Sequence, residues 1–169
     1  MIITMKNYED MLADDPRRFY PPEVPVFDYE PLRDYFQIVK SPEAINEGII
    51  SLISLKEEDI AFRWTGFFLI TQTLHSLQHR KGAYIHDIFF SGKLLHSCSP
   101  NLKLDMETLT AYVVKPIRVF DRLTIDYEMS EDILYNQFDC KCGSSNCRKY
   151  ISGKQMDKEK HMVLQPFGE

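Results

Sequence analysis

The sequence predicts a mostly β domain with one or two short helices, closed at its C-terminal end by a zinc-stapled segment. Three observations carry this. Short β-type runs recur from Tyr35 onward, separated by charged or turn residues. Cys140, Cys142 and Cys147 form a tight cluster in "FDCKCGSSNCRKYISG". The chain has four cysteines in all, so a closed structural zinc site, which takes four ligands, would use every one.

The chain has 169 residues, about one domain's worth, and is 44% hydrophobic and 12% aromatic, enough for a packed core. Its net charge of −5 argues against a dedicated nucleic-acid binder, and there is no basic tract or DNA-binding motif. The same charge suits a cationic partner such as a Lys-rich peptide. No run of 18 apolar residues predicts a membrane helix. "MIITMKNYEDML" does not read as a secretory signal. These features predict an intracellular, reducing compartment, cytoplasmic or nuclear, in which clustered cysteines bind metal rather than pair as disulfides.

Along the chain, a short helix is expected near Tyr8–Ala13. An extended arm follows, because Pro16, Pro21, Pro22 and Pro25 preclude a regular helix. "DYFQIVKS", "GIISLISL" and "DIAFRWTGFFL" read as strands. In "LITQTLHSLQHR", Ile70, Leu74 and Leu77 recur at helical spacing, predicting a helix. "AYIHDIFF", "DMETLTAYVV" and "DRLTIDYEM" read as strands again. "SEDILYNQF" offers one helical turn. The charged tail is expected to be loosely ordered. His75 and His79 stand four residues apart on the predicted helix, but no third ligand accompanies them, so they read as packing or solvent residues.

Cys140 and Cys142 are too close in sequence to pair easily with each other, which leaves Cys98 as the candidate fourth thiolate. The chain must fold back to bring it in. Unrelated thiols are the alternative; the spacing, Gly143 in the turn and the total of four favour zinc.

Cys98 lies in "LLHSCSPN", "RLTIDYE" follows, and the CxCG cluster comes last. Together these segments resemble the SET-domain lysine methyltransferases with a zinc-binding post-SET segment, whose hallmarks are a GxG-type turn, NHSCxPN, ELTxDY and CxCGxxxC. The resemblance covers roughly residues 35–153. It divides the chain into an N-terminal Pro-rich arm (1–34), the SET domain (35–137), the post-SET zinc segment (138–153) and a tail (154–169). It implies a β-clip-like fold with a C-terminal pseudo-knot that brings "LHSCSPN" beside "LTIDY". It also implies Cys98 as the fourth zinc ligand, in agreement with the cysteine count.

The resemblance further implies S-adenosyl-L-methionine as cofactor and a protein or peptide lysine as acceptor, with Tyr127 as the catalytic residue beside the transferring methyl. Asn46, Glu47 and Gly48 overlie the GxG-type turn, with Asn46 in place of the first glycine. Leu95 and His96 fall at the cofactor, with Leu95 where the family carries asparagine. Trp64, in "WTG", takes the tyrosine position of the family's Tyr-x-Gly. Trp64, Ile125 and Phe138 would line the substrate channel, and Phe138 would also pack near the cofactor. Ile125 replaces a Phe or Tyr, which predicts a permissive pocket and products beyond monomethyl-lysine. A narrow apolar channel lowers the pKa of a lysine, ordinarily about 10.4, and so favours the reactive neutral amine. Two other readings compete: a methyltransferase for a small amine, suggested by Trp64, Leu95 and Ile125, and a SET-like binding module that keeps its zinc without catalysis, suggested by Leu95 and Asn46. The sequence leaves the oligomeric state open; a homodimer made through the Pro-rich arm is one arrangement.

Overall fold

The computed structural model describes residues 14–40 and 47–155. The expected helix near Tyr8–Ala13 and the site residue Asn46 lie outside these, as does all of the tail beyond residue 155.

The described chain is built from short strands arranged in five small sheets. The hairpin β1 (Phe36–Lys40) and β2 (Glu47–Ser51) pairs antiparallel. A three-stranded antiparallel sheet has the order β3 (Ile60–Arg63), β9 (Thr110–Val113), β8 (Leu102–Asp105). A second has the order β4 (Phe67–Leu69), β6 (Ala83–His86), β5 (Ser76–Arg80). The two-residue strands β7 (Leu95–His96) and β10 (Thr124–Ile125) pair in parallel, and β11 (Phe138–Asp139) pairs antiparallel with β12 (Tyr150–Ile151). The one α-helical turn among the described residues, α1, is Tyr127–Ser130.

The strand readings before Trp64 and around Tyr84 hold. Two others need correction. The segment "LITQTLHSLQHR" forms no helix: it ends in β5, and Ile70 and Leu74 are largely exposed, so their helical spacing marks no buried face. Pairing with β6 decides the conformation, which a local pattern cannot register. His75 and His79 therefore share no helix face; each instead holds a backbone carbonyl through Nδ1, that of Gly92 at 3.1 Å and that of Met106 at 2.7 Å. In "DRLTIDYEM", the strand stops at Ile125, where Asp126 caps α1 by accepting the Glu128 N–H at 3.1 Å. The helical turn thus ends on Ser130, the first residue of "SEDILYNQF", rather than beginning there.

The core is aromatic. Phe62 meets Phe90 with ring centroids 5.0 Å apart at 86°, and Phe36 packs edge-on against Phe62. The Pro-rich arm joins this core through Phe19 and Tyr20, and Arg18 forms a buried ion pair with Glu30. Tyr20 donates its hydroxyl to Asp87 at 2.9 Å.

Asp87 organises the turn that leads towards β7. Its buried carboxylate accepts from the backbone N–H groups of Phe89, Phe90 and Ser91 and from the Ser91 hydroxyl, at 2.7–3.1 Å. Removing the acceptor strands several buried donors. Asp87→Ala is expected to lower unfolding stability by about 3 kcal/mol or more, measured by urea denaturation. A loss under 1 kcal/mol would show that water replaces the carboxylate.

Candidate active site and metal centre

The parallel pairing of β7 with β10 sets Leu95 opposite Thr124 and His96 opposite Ile125. The two segments singled out in the sequence, although separated along the chain, are thereby neighbours. Asn101 clamps them: its Oδ1 accepts the Thr124 N–H at 2.8 Å, and its Nδ2 donates to the Arg122 carbonyl at 2.8 Å.

The cysteines meet on one side of this junction. The sulfurs of Cys98, Cys140, Cys142 and Cys147 all lie within 4.8 Å of one another, and those of Cys98 and Cys140 are 3.8 Å apart. A tetrahedron with Zn–S bonds of about 2.3 Å has edges of about 3.8 Å, so the four sulfurs fit a structural zinc ion. Gly143, at φ +76°, supplies the left-handed turn that aims Cys142 and Cys147 back at the cluster. Burial pushes the Cys140 thiol up to about 12. At Cys142 burial also pushes upward, but hydrogen bonds from Ser144, Cys98 and Cys140 outweigh it and bring the thiol to about 5. Sulfurs packed this closely need a cation to carry four thiolates. Around them, Asn146 Nδ2 donates to the Cys98 carbonyl at 2.9 Å, and the Arg148 N–H approaches Cys98 Sγ at 3.4 Å.

His96 connects this centre to Tyr127. The Tyr127 N–H donates to His96 Nδ1 at 3.2 Å, which leaves Nε2 as the protonated nitrogen, 3.4 Å from Cys98 Sγ. Burial holds the imidazole neutral, with its pKa drawn down to about 4. The rings of His96, Tyr127 and Phe138 form a trio with centroids 5.2–6.1 Å apart. Arg148 fastens the cysteine segment from outside, bridging to Asp126 at 2.5 Å and to Glu128 at 3.0 Å, so both acids that start α1 are tied to the metal loop.

On the other side of the junction lie two cavities that meet at Tyr127. The first, about 260 Å³, is lined by Leu74, Leu77, Leu94, Leu134, Phe138 and Tyr127, with Gln72 and Glu131 among its polar walls. The second, about 320 Å³, is bounded by Glu47, His75, Lys93, Leu94, Leu95 and Tyr127. The Tyr127 hydroxyl donates to the Leu94 carbonyl at 2.6 Å. Burial, reinforced by the charge of Glu131, raises its pKa well above the usual phenol value, so it remains protonated at neutral pH.

Of the residues predicted from sequence, Tyr127 and Phe138 line the first cavity, and Glu47, Leu95 and Tyr127 the second. Gly48 stands beside the second: a Cβ built there would come within 2.7 Å of Leu95 Cδ1, so the glycine permits close approach to Leu95. Its φ lies outside the left-handed range, and the need for glycine here is spatial. His96 packs against Tyr127 and Phe138 and lines neither of these two cavities. Neither Trp64 nor Ile125 lines these two cavities, although the backbone of Ile125 pairs with His96 at the junction. Trp64 is buried against Phe62, and Ile125 faces a separate groove with Leu102, Leu104 and Met129. Both stood in motif positions, but strand alternation and core packing decide which way their side chains point. Sequence reading missed Lys93, Glu131 and Arg148. Lys93 forms an ion pair with Glu47 at the second cavity. None of the three carries a local signal, because each gains its setting from partners distant in the chain.

The strand arrangement, with its cluster of four cysteines, is a SET-domain-like fold. It superposes on KRYPTONITE, solved in complex with mCHH DNA, an H3(1-15) peptide and SAH, with a TM-score of 0.56 at 20% identity, covering 68% of this chain and 29% of that one. It is similar to the methyltransferase domain of human histone-lysine N-methyltransferase SETMAR, with a TM-score of 0.52 at 18% identity, over 68% of this chain and 56% of that one. In sequence, it is 44% identical over 62 residues to "Methyltransferase flvH" of Aspergillus flavus, a match spanning 36% of this chain and 35% of the relative. The chain thus matches only about a third of the length of that curated relative. It matches no protein-family model. Among the described residues, no helix is long and apolar enough to cross a membrane.

Proposed function

We propose that this chain is an S-adenosylmethionine-dependent N-methyltransferase, with a protein lysine as its acceptor. The observation that carries the reading is the position of Tyr127 where two cavities meet. One cavity would hold the methyl donor and the other would admit the amine, leaving the phenol oxygen beside the point of transfer.

The residues of the second cavity fit the donor. Lys93 and Glu47 provide opposite charges for an amino-acid end, and the Leu94 carbonyl and the Tyr127 oxygen provide electron-rich neighbours for a sulfonium. When bound, S-adenosylmethionine supplies an electrophilic methyl group. The chain's own residues do the rest. Leu94 and Tyr127 orient the partners, and Phe138 and Leu134 keep water from the acceptor side. The zinc site would hold Phe138 against Tyr127, because β11 leads directly into Cys140. Leu95, which cannot hydrogen-bond, packs on Gly48 and leaves the polar contacts of this wall to Lys93 and Glu47.

A second reading, a small-amine acceptor, gains support from the outer edge of β5. A peptide adding as a strand requires free backbone groups on a sheet edge. Here the Gln78 N–H is taken by Glu131 at 2.7 Å, and the Gln78 side chain exchanges two hydrogen bonds with Asp132. The experiment incubates the zinc-loaded protein with methyl-labelled S-adenosylmethionine and a lysate of its source cell. Label in polypeptides, located on lysine by mass spectrometry, is the expected result. Label in small molecules alone would replace it with the second reading. A protein that neither transfers label nor binds S-adenosylhomocysteine would refute both.

A further inference from the structure

Glu131 is buried yet lines the cavity beside Tyr127. Its Oε1 accepts the Gln78 N–H at 2.7 Å, and its Oε2 accepts from Gln72 Nε2 at 3.0 Å. Each oxygen of a carboxylate can accept about two hydrogen bonds, so both keep acceptor capacity. The Gln72 amide is fixed in turn by donating to the Ile133 carbonyl at 3.0 Å. The carboxylate is therefore aimed by its neighbours rather than free to swing, and the cavity's other walls combine leucine and aromatic side chains with Thr73, Ser76, Ser91 and Asn136.

We propose that Glu131 binds the ammonium group of the methyl acceptor in this cavity and takes its proton. The inference rests on the methyltransferase reading and deepens it. An amine arrives protonated and must lose a proton before its lone pair can attack. In the transfer to Glu131, an N–H bond breaks, an O–H bond forms, and the electron pair stays on nitrogen. A buried ion pair thereby becomes a neutral amine beside a neutral acid, the arrangement that burial of the Glu131 carboxyl favours. Burial already raises the Glu131 carboxyl to about 7, close to the range useful to a general base. Of the charged and titratable groups that act on it, Asp132 reinforces this rise and Lys154 opposes it, while the neighbouring Tyr127 stays neutral.

The test uses the zinc-loaded full chain, with n-butylammonium and n-butanol as probes, followed by NMR. Wild type is expected to bind n-butylammonium more tightly than n-butanol. Glu131→Gln should weaken n-butylammonium binding about 10- to 100-fold and leave n-butanol unchanged. Gln72→Leu retains the charge and removes a donor that lowers the carboxyl's pKa. It should keep the preference for the cation and move the rising limb of the transfer–pH profile, near pH 7 in wild type, to higher pH. Glu131→Gln should abolish that limb. Equal binding of the two probes by wild type, or an unmoved limb in both variants, would overturn the proposal. S-adenosylhomocysteine binding, followed in parallel, separates the two readings. Its absence in wild type defeats the methyltransferase reading, whereas its presence with no effect of Glu131→Gln defeats this inference alone.

Discussion

Replacing Cys98 with serine is expected to release the metal and loosen the whole segment from Phe138 to Ile151. Cys98 stands apart from the other three cysteines in sequence, yet its sulfur is part of the same cluster. It is also the contact through which β7 grips the C-terminal strands, since Asn146 and Arg148 both bond to it. The second cluster of buried residues, Cys98, Leu134, Cys140 and Ile151, is small, and a pair of two-residue strands cannot sustain itself. Metal binding free energy in such sites is folding free energy, of order 10 kcal/mol. Metal analysis of the purified variant should therefore fall from one zinc per chain towards none, and limited proteolysis should cut within residues 138–151. Wild type treated with a chelator should show the same cleavage. Full zinc retention by the variant would mean that three sulfurs and a water suffice, and that Cys98 is packed beside the site rather than part of it.

Tyr127→Phe is expected to lower the methyl-transfer rate by about a hundredfold or more while leaving the fold intact. That loss corresponds to about 3 kcal/mol of transition-state stabilisation. The substitution removes one oxygen, whose hydrogen bond to the Leu94 carbonyl fixes both groups at the meeting of the cavities. The ring and its packing on His96 and Phe138 remain. S-adenosylhomocysteine binding and the unfolding midpoint should change little, which places the effect in the chemical step rather than in assembly. A rate within threefold of wild type would remove Tyr127 from the reaction and return the site to a binding role.

The cysteine cluster was the most legible part of this protein. The cysteine count limited the ligand set to four residues, and the geometry agrees with it. Tyr127 and Phe138, singled out through their motif settings, both line the first cavity. Trp64 and Ile125 were assigned by the same motifs but point elsewhere, because a motif fixes position along the backbone while packing fixes direction. The segment from Ile70 to Arg80 was misread because Ile70, Leu74 and Leu77 mimic helical spacing. Only the last of these is buried, and the conformation of β5 is set by its pairing with β6.

The sequence by itself determined a β-rich domain, a cysteine cluster fit for zinc and the two segments that flank the site, since residue type and count restrict those directly. The tertiary structure alone decided that β7 lies parallel to β10, that two cavities meet at Tyr127, that Glu131 and Lys93 line those cavities, and that Arg148 ties the cysteine segment to α1. The reason is physical: a carboxylate or a guanidinium acquires its role from burial and from partners brought near by the fold, and neither is written in its immediate neighbours along the chain.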